Sequence, residues 1–581
     1  VSDEATPEGI DLLLMWHMHQ PDYRDLTTGE FQMPWVYLHA LKDYADMAWH
    51  LEQNPGVRVV VNFVPVLLDQ LEDYVDQFSS RHLRDPLLRL LCHDESVPLT
   101  PAQRQYAFDQ CFRANHERLI QPFHGYRHLY DVYQSMLAQG EDTLAYLSDR
   151  FILDLVTWYH LAWTGETVRR ASAVIARLMN KNQTFTRQDR CELLDEIARV
   201  VGQIIPRYRA LALSGHVEIT TTPHNHPLSP LLLDFRSAAD SQPDAPLPTA
   251  SFYPGGRERV CWHLDSAIQT HRQRFGTSAC GMWPAEGAVS SGFAGLMASR
   301  HLRWAATSQG VLELSLHQSR QAGRLPDDAA LPRVAWHQPW QIEGVAADML
   351  FLFRDDRLSD LIGFVYSTWH GRDAADNFIA ELQASAAPAP GKRPLVSIIL
   401  DGENAWEYYP YNGFFFLSDL YRMLAEHPAI TTVTGSDLVA RYDQRTLTTP
   451  VGRLPVLAAG SWVYGNLATW IGSPDKNHAW DMLCAAKMAF DQVIASGTLS
   501  DSERALARAQ LADCEASDWF WWPGDDNPGE SVGAFESLFR LKLSNLYRFL
   551  ELPVPDALGL PFSRGRQGAV EAGGTMKRGV A

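Results

Sequence analysis

Two carboxylates of this 581-residue chain stand where buried strands would end. Glu286 lies in Cys280-Gly-Met-Trp-Pro-Ala-Glu-Gly-Ala-Val-Ser290. Pro284 cannot donate to a central ladder, so a strand ending near Trp283 must release the chain there, and Gly287 permits close backbone approach. Asp401 closes the apolar run Leu395-Val-Ser-Ile-Ile-Leu, after which Gly402-Glu403-Asn404 turns the chain outward. Glu-Gly and Asp-Gly are also ordinary turn chemistry. The neighbours favour more: Trp283 precedes Glu286 and Trp406 follows Asp401, and an indole beside a carboxylate suits a sugar, whose C–H face stacks on aromatics while its hydroxyls meet acids.

Further candidates flank this pair. The apolar run Asp11–Trp16 ends in His17-Met-His19-Gln20-Pro21, and period two puts His17 and His19 on one face. They admit three readings: histidines satisfied by backbone, a metal pair, or donors lining a substrate pocket. Glu218 interrupts the alternating Gly215-His-Val-Glu-Ile-Thr220. A carboxylate in a strand is costly if buried alone, so it is either paired, turned to a polar cavity, or outward on an edge strand.

The elements that must position these groups alternate. Val57–Phe63 is β-branched and reads as a second strand ended by Pro65. From about residue 66 to 210 apolar residues recur at spacings of three and four, and Thr186 caps a helix beginning at Arg187, so a large helical insertion is expected. Residues 280–283, 302–307, 349–353, 395–401 and 430–434 complete about seven core strands. Alternation with helices predicts a parallel α/β arrangement, with function at the strands' carboxyl ends. After about Tyr442 the strand signal fades into helices and aromatic loops, among them Gly460–Gly472 and Asp518-Trp-Phe-Trp-Trp-Pro-Gly-Asp-Asp-Asn527. The expected units are 1–442 with the insertion, a helical C-terminal domain over 443–560 that completes a cleft, and a disordered tail over 561–581.

Composition bounds the partners. A net charge of −19 argues against nucleic acid or an anionic membrane. No apolar run is long enough to span a bilayer. The seven cysteines are scattered, without a Cys-x-x-Cys pair, which fits a reducing compartment rather than a disulfide or zinc framework. With its acidic start, Val1-Ser-Asp-Glu, the chain is expected in the cytoplasm.

In order, His19-Gln20-Pro21, Val217-Glu-Ile-Thr220, Trp283 to Glu286, Asp401 with Glu403, and Gly460 to Trp480 resemble the five motif regions of glycoside hydrolase family 57, over about Leu12 to Leu550. The resemblance implies a (β/α)7 barrel and a retaining enzyme acting on α-glucans such as starch, glycogen, maltooligosaccharides or pullulan, of α-amylase or amylopullulanase type, with no metal and no cofactor. It implies Glu286 as nucleophile and Asp401 as general acid/base. It implies His17, His19, Glu218, Trp283, Glu403, Trp406, Trp462, Trp470 and Asp526 as sugar-binding or wall residues. Glucan transfer or branching, or glucan binding without turnover, remain alternatives. Ser308 and Asn527 replace the acidic residue and the histidine that relatives often carry.

Overall fold

A computed structural model of the protein describes residues 9–326, 331, 334–386 and 392–566. Its centre is a ring of seven strands: β1 (Ile10–Met18), β2 (Val59–Phe63), β3 (Val217–Thr221), β4 (Gly281–Met282), β5 (Trp304–Ser308), β6 (Ala346–Arg354) and β7 (Leu395–Asp401). Neighbours pair in parallel in chain order, and β7 returns to β1, so the described strands close a barrel. The expected strands are present, with ends displaced by a few residues, except that Ile430–Thr432 pairs with β1 outside the ring instead of joining it. β1 is buried along its whole length and β2 likewise, the pattern of parallel strands covered on one face by helices and on the other by the barrel interior.

Register fixes what each level of the barrel holds. His17 of β1 lies opposite Asn62 of β2 and Asp401 of β7, and Asn62 lies opposite Thr220 of β3. Two residues lower, Met15, Val60, Ile399 and Glu218 share the next level. The interior below the mouth is apolar, with Leu13, Trp304, Leu350 and Leu352 packed against Met15 and Ile399. Val433 and Leu438, at the start of helix Gly435–Asp443, extend this cluster and close the lower end. A β-carbon on Gly435 would stand 2.2 Å from the Trp304 ring, so only glycine lets that helix approach.

Between β2 and β3 the chain forms the expected helical insertion, from Pro65–Ser80 to the 27-residue helix Arg187–Leu213. Thr186 and Asp189 cap the latter reciprocally. The C-terminal part is built on helices Pro474–Ser496, Asp501–Cys514 and Gly529–Phe549. A short strand, Gly452–Leu454, also falls there, pairing with Trp340–Ile342, which runs antiparallel to β6. Residues 561–566, expected in a disordered tail, instead pack: Phe562 meets the rings of His478 and Phe539, and the Arg566 amide donates to the Asn527 carbonyl. The remainder of that stretch lies outside the described residues. Among the described residues no helix is long and apolar enough to cross a membrane.

Candidate active site

At the carboxyl ends of the strands the barrel opens into a cavity of about 1300 Å³ lined by His17, His19, Glu286, Asp401 and Glu403. Asp401 arrives as the last residue of β7. Glu286 follows β4 in a three-residue turn and holds a left-handed backbone, φ 57° and ψ 24°. That conformation costs a residue with a β-carbon roughly 1–2 kcal/mol, and such strain persists only where the surroundings enforce it. Here they do. A β-carbon on Gly287 would meet the Trp283 ring at 2.9 Å, and the amide of Trp462 is tied to the Glu286 carbonyl at 3.0 Å.

Each oxygen of Glu286 accepts one hydrogen bond, from Ser517 Oγ at 3.1 Å and from Trp462 Nε1 at 3.1 Å. Burial, with the negative charge of Asp518 next and that of Asp401 further down, pushes its carboxyl up to about 7, against the opposing charge of His19. Burial also raises Asp401, opposed by the Asn404 amide, which donates at 3.0 Å, and by the charges of His19 and Arg354. Glu403 is raised further, again chiefly by burial; one of its oxygens accepts from the His19 amide and the Gln20 side chain, both at 3.2 Å. A cavity holding several carboxyls that resist ionisation together is equipped to hold and move a proton.

Three imidazoles stand beside them. His19 stacks on His226 with centroids 3.8 Å apart, and His17 stacks on His226 at 5.1 Å. Burial disfavours charge on all three, and it takes His17 down to about 3 and His226 well below the usual histidine range. His19 goes the other way, because Asp518 pairs with its Nε2 at 3.0 Å and Glu286 and Asp401 add their fields. Of the three rings, His19 is therefore the one whose charged form the surrounding acids favour. Donor atoms of His19, His226 and Asp518 lie within 4.8 Å of one another. An ion bonded in the plane of one stacked ring would sit off the plane of the other, so the pair does not converge on a tetrahedral centre. His226 also presents Nδ1 to Ser517 and Nε2 to His17, at 2.8 and 3.2 Å.

The structure gathers His17, His19, Glu286, Asp401, Glu403, Trp462 and Asp526 around the cavity. It does not gather the rest. Glu218 lies a level below His17 and points to the closed end, where it accepts from Trp304 Nε1 at 2.8 Å and from the Ser436 amide at 2.7 Å. Held by these two donors and outside the lining of the cavity, Glu218 does not reach a sugar bound in it. Trp406 is core: it packs on Trp16 at 5.6 Å and gives its Nε1 hydrogen to the Gly402 carbonyl. Trp470 is core as well, packed on Trp521 at 5.6 Å. Trp283 is fully buried behind the cavity, supporting Trp462 edge-on at 5.1 Å. The tryptophans that do line the cavity include Trp35, Trp163, Trp521 and Trp522, the first two outside the motifs and the last two in the aromatic run.

His226, Ser517, Asp518 and Arg354 escaped the sequence reading. Arg354 ends β6 with its guanidinium locked by Asp356 and Asp360, both at 2.8 Å, and by the Ile399 carbonyl. His226 sits in the three-proline turn after β3, and Asp518 opens the aromatic run; nothing local in either stretch shows that they meet.

Comparison with known proteins agrees with this geometry. Residues 13–451 match the model of glycosyl hydrolase family 57. No curated protein sequence matches the chain. Among solved structures it is similar to a family 57 branching enzyme from Thermococcus kodakaraensis, at 14% identity and TM-score 0.55, covering 93% of this chain and 90% of that one. The branching enzyme of Pyrococcus horikoshii is comparable, at 16% identity and TM-score 0.54, covering 95% and 93%. So is the α-amylase AmyC of Thermotoga maritima, at 12% identity and TM-score 0.54, covering 94% and 93%. Structural likeness at such identities speaks for the fold, while the family match spans most of the barrel, including both strand-end carboxylates. The chain belongs to glycosyl hydrolase family 57.

Proposed function

We propose that the protein is a retaining α-glucan-acting enzyme in which Glu286 is the nucleophile and Asp401 the general acid/base. The observation that carries this reading is the meeting of Glu286 and Asp401 in one cavity at the strands' carboxyl ends, where the charge of Asp401 adds to burial and to Asp518 in raising Glu286. Retaining chemistry uses two carboxyls about 5–5.5 Å apart. The reactive form has the proton on Asp401 and the charge on Glu286, whose two donors, Ser517 and Trp462, favour that ionised state. Glu286 attacks the anomeric carbon while Asp401 protonates the departing glycosidic oxygen; Asp401 then takes a proton from the incoming water as the glucosyl–Glu286 ester is cleaved. The His19 imidazolium offsets the acids, and the aromatic walls supply sugar-stacking surfaces.

The substrate proposed is α-1,4-linked glucan, with α-1,6 bonds of pullulan as a further target, acted on in the cytoplasm. Transfer to a sugar acceptor uses the same residues and is supported by the crowding of Trp462, Tyr464, Trp521 and Trp522 around the cavity, since water exclusion favours an acceptor sugar over hydrolysis. The test is product analysis on maltoheptaose, amylose and pullulan with wild type, Glu286→Gln and Asp401→Asn. Chains longer than those supplied mean transfer, shorter ones alone mean hydrolysis, and normal turnover in either variant refutes that residue's role.

A further inference from the structure

The segment that brings Ser517 to Glu286 and Asp518 to His19 belongs to no barrel strand. It leaves helix Asp501–Cys514 and is held from behind by Glu515, a fully buried acid outside the cavity lining. Glu515 accepts from Tyr253 Oη at 2.5 Å, from Arg259 through Nε and Nη2, each at 2.8 Å, and from His263 Nε2 at 2.7 Å. Arg259 and His263 lie one helical turn apart on helix Gly256–Phe275. That same helix fixes the turn after β3: the His224 amide donates to the His263 carbonyl at 3.1 Å and the Asn225 amide to His263 Nδ1 at 3.4 Å. The two loops then join directly, Pro227 bridging to Ala516 and the Ser517 amide donating to the His226 carbonyl at 2.9 Å. One helix therefore holds both loops that furnish the wall opposite Glu286.

We propose that Glu515 is a positioning residue, fixing the 515–518 segment through Arg259 and His263 so that Ser517 and Asp518 stand at Glu286 and His19 in the reactive arrangement. The proposal rests on Glu286 as nucleophile. A buried ion group gives a protein less stability than apolar packing would, but it fixes orientation: a bidentate guanidinium and two further donors leave the carboxylate one position. Arg259 and the hydrogen bond of His263 hold Glu515 ionised, down to about 2 against its burial, with Tyr253 and the Cys514 thiol the other titratable groups around it. Around Glu286 the corresponding groups are Asp518, His19, Asp401 and His226.

The test measures kcat, KM, the pH profile of kcat/KM and the melting temperature on maltoheptaose for Glu515→Gln, Arg259→Lys and Tyr253→Phe, with Glu286→Gln alongside. Glu515→Gln is expected to lower kcat about ten- to a hundredfold, the cost of misplacing catalytic neighbours by an ångström or less, with KM changed no more than about threefold. Its acid limb should also move to lower pH, because the confinement and the Asp518 charge that raise Glu286 both weaken. Arg259→Lys and Tyr253→Phe should move both readouts the same way by smaller amounts, and they carry the test if Glu515→Gln does not fold. Lower melting temperatures with unchanged kcat and an unchanged acid limb in every folded variant would overturn the proposal. Normal turnover in Glu286→Gln would instead remove the nucleophile on which it rests.

Discussion

Glu218 and Glu286 occupy opposite ends of the same barrel in nearly the same dress. Each accepts one hydrogen bond from an indole, Trp304 or Trp462, and one from a serine, the Ser436 amide or the Ser517 hydroxyl. Burial raises both carboxyls. What separates them is what else is near. Glu218 faces the apolar plug of helix Gly435–Asp443, whereas Glu286 faces a cavity, two further acids and a charged imidazole, from a left-handed backbone. An acid flanked by indole and serine is thus not a functional signature by itself; the open space and the competing charges make it one.

The comparison breaks most visibly at the catalytic end. On the proposed roles, Glu286→Gln and Asp401→Asn should each lose at least ~10³-fold in kcat, because each would remove a bond-making or proton-transferring group, while Glu218→Gln should stay within about threefold since it lies outside the cavity lining. Equal losses from Glu218→Gln with the fold intact would erase the distinction. Next, Trp462→Phe should cost about tenfold in kcat/KM, the worth of one hydrogen bond to a charged group, and should move the acid limb upward, since the lost donor had favoured the ionised carboxylate. Trp304→Phe should leave that limb where it is. Asp518→Asn should shift the limb below about 7, because the charge removed is one that raises Glu286; an upward shift would mean that loss of the His19 charge dominates.

Smaller effects concern stability. Glu286 binds its proton more tightly folded, at about 7, than at its ordinary 4.5. As pH rises through that window the unfolded chain has released a proton that the folded one retains, so the wild type loses stability. Glu286→Gln should therefore melt higher than wild type near about pH 8, with the gain vanishing near about pH 4; a gain equal at both would point to relieved packing instead. Glu218→Gln should lower the melting temperature, as leaving one buried donor poorly matched costs about 1–3 kcal/mol.

Much of the barrel could be read from the chain because parallel strands buried on both faces leave apolar runs with sharp ends, as at Leu395–Asp401 and β1. The two carboxylates were legible for the same reason: each follows such a run. The helical insertion announced itself through spacing and the Thr186 cap. The tryptophans were harder, since an indole in a core and an indole on a cavity wall share the same neighbours in sequence; Trp406 and Trp470 went inward, Trp462 outward. For Glu218 the paired reading holds, while the sugar-binding role came from the resemblance; alternation gives the face of a strand but not the level along the barrel. His226, Ser517 and Asp518 were invisible because 291 positions separate His226 from Ser517, and only the packing of helix Gly256–Phe275 brings them together.

The twisted backbone at Glu286 has a practical sequel. Glycine adopts that conformation freely, so Glu286→Gly would empty the proposed nucleophile's place without disturbing the turn, leaving a vacant berth for a small anion such as azide or formate. Supplied with an activated glucosyl donor, such a protein would make the inverted adduct rather than the natural product, and left without the anion it would hold an intact oligosaccharide long enough to be seen.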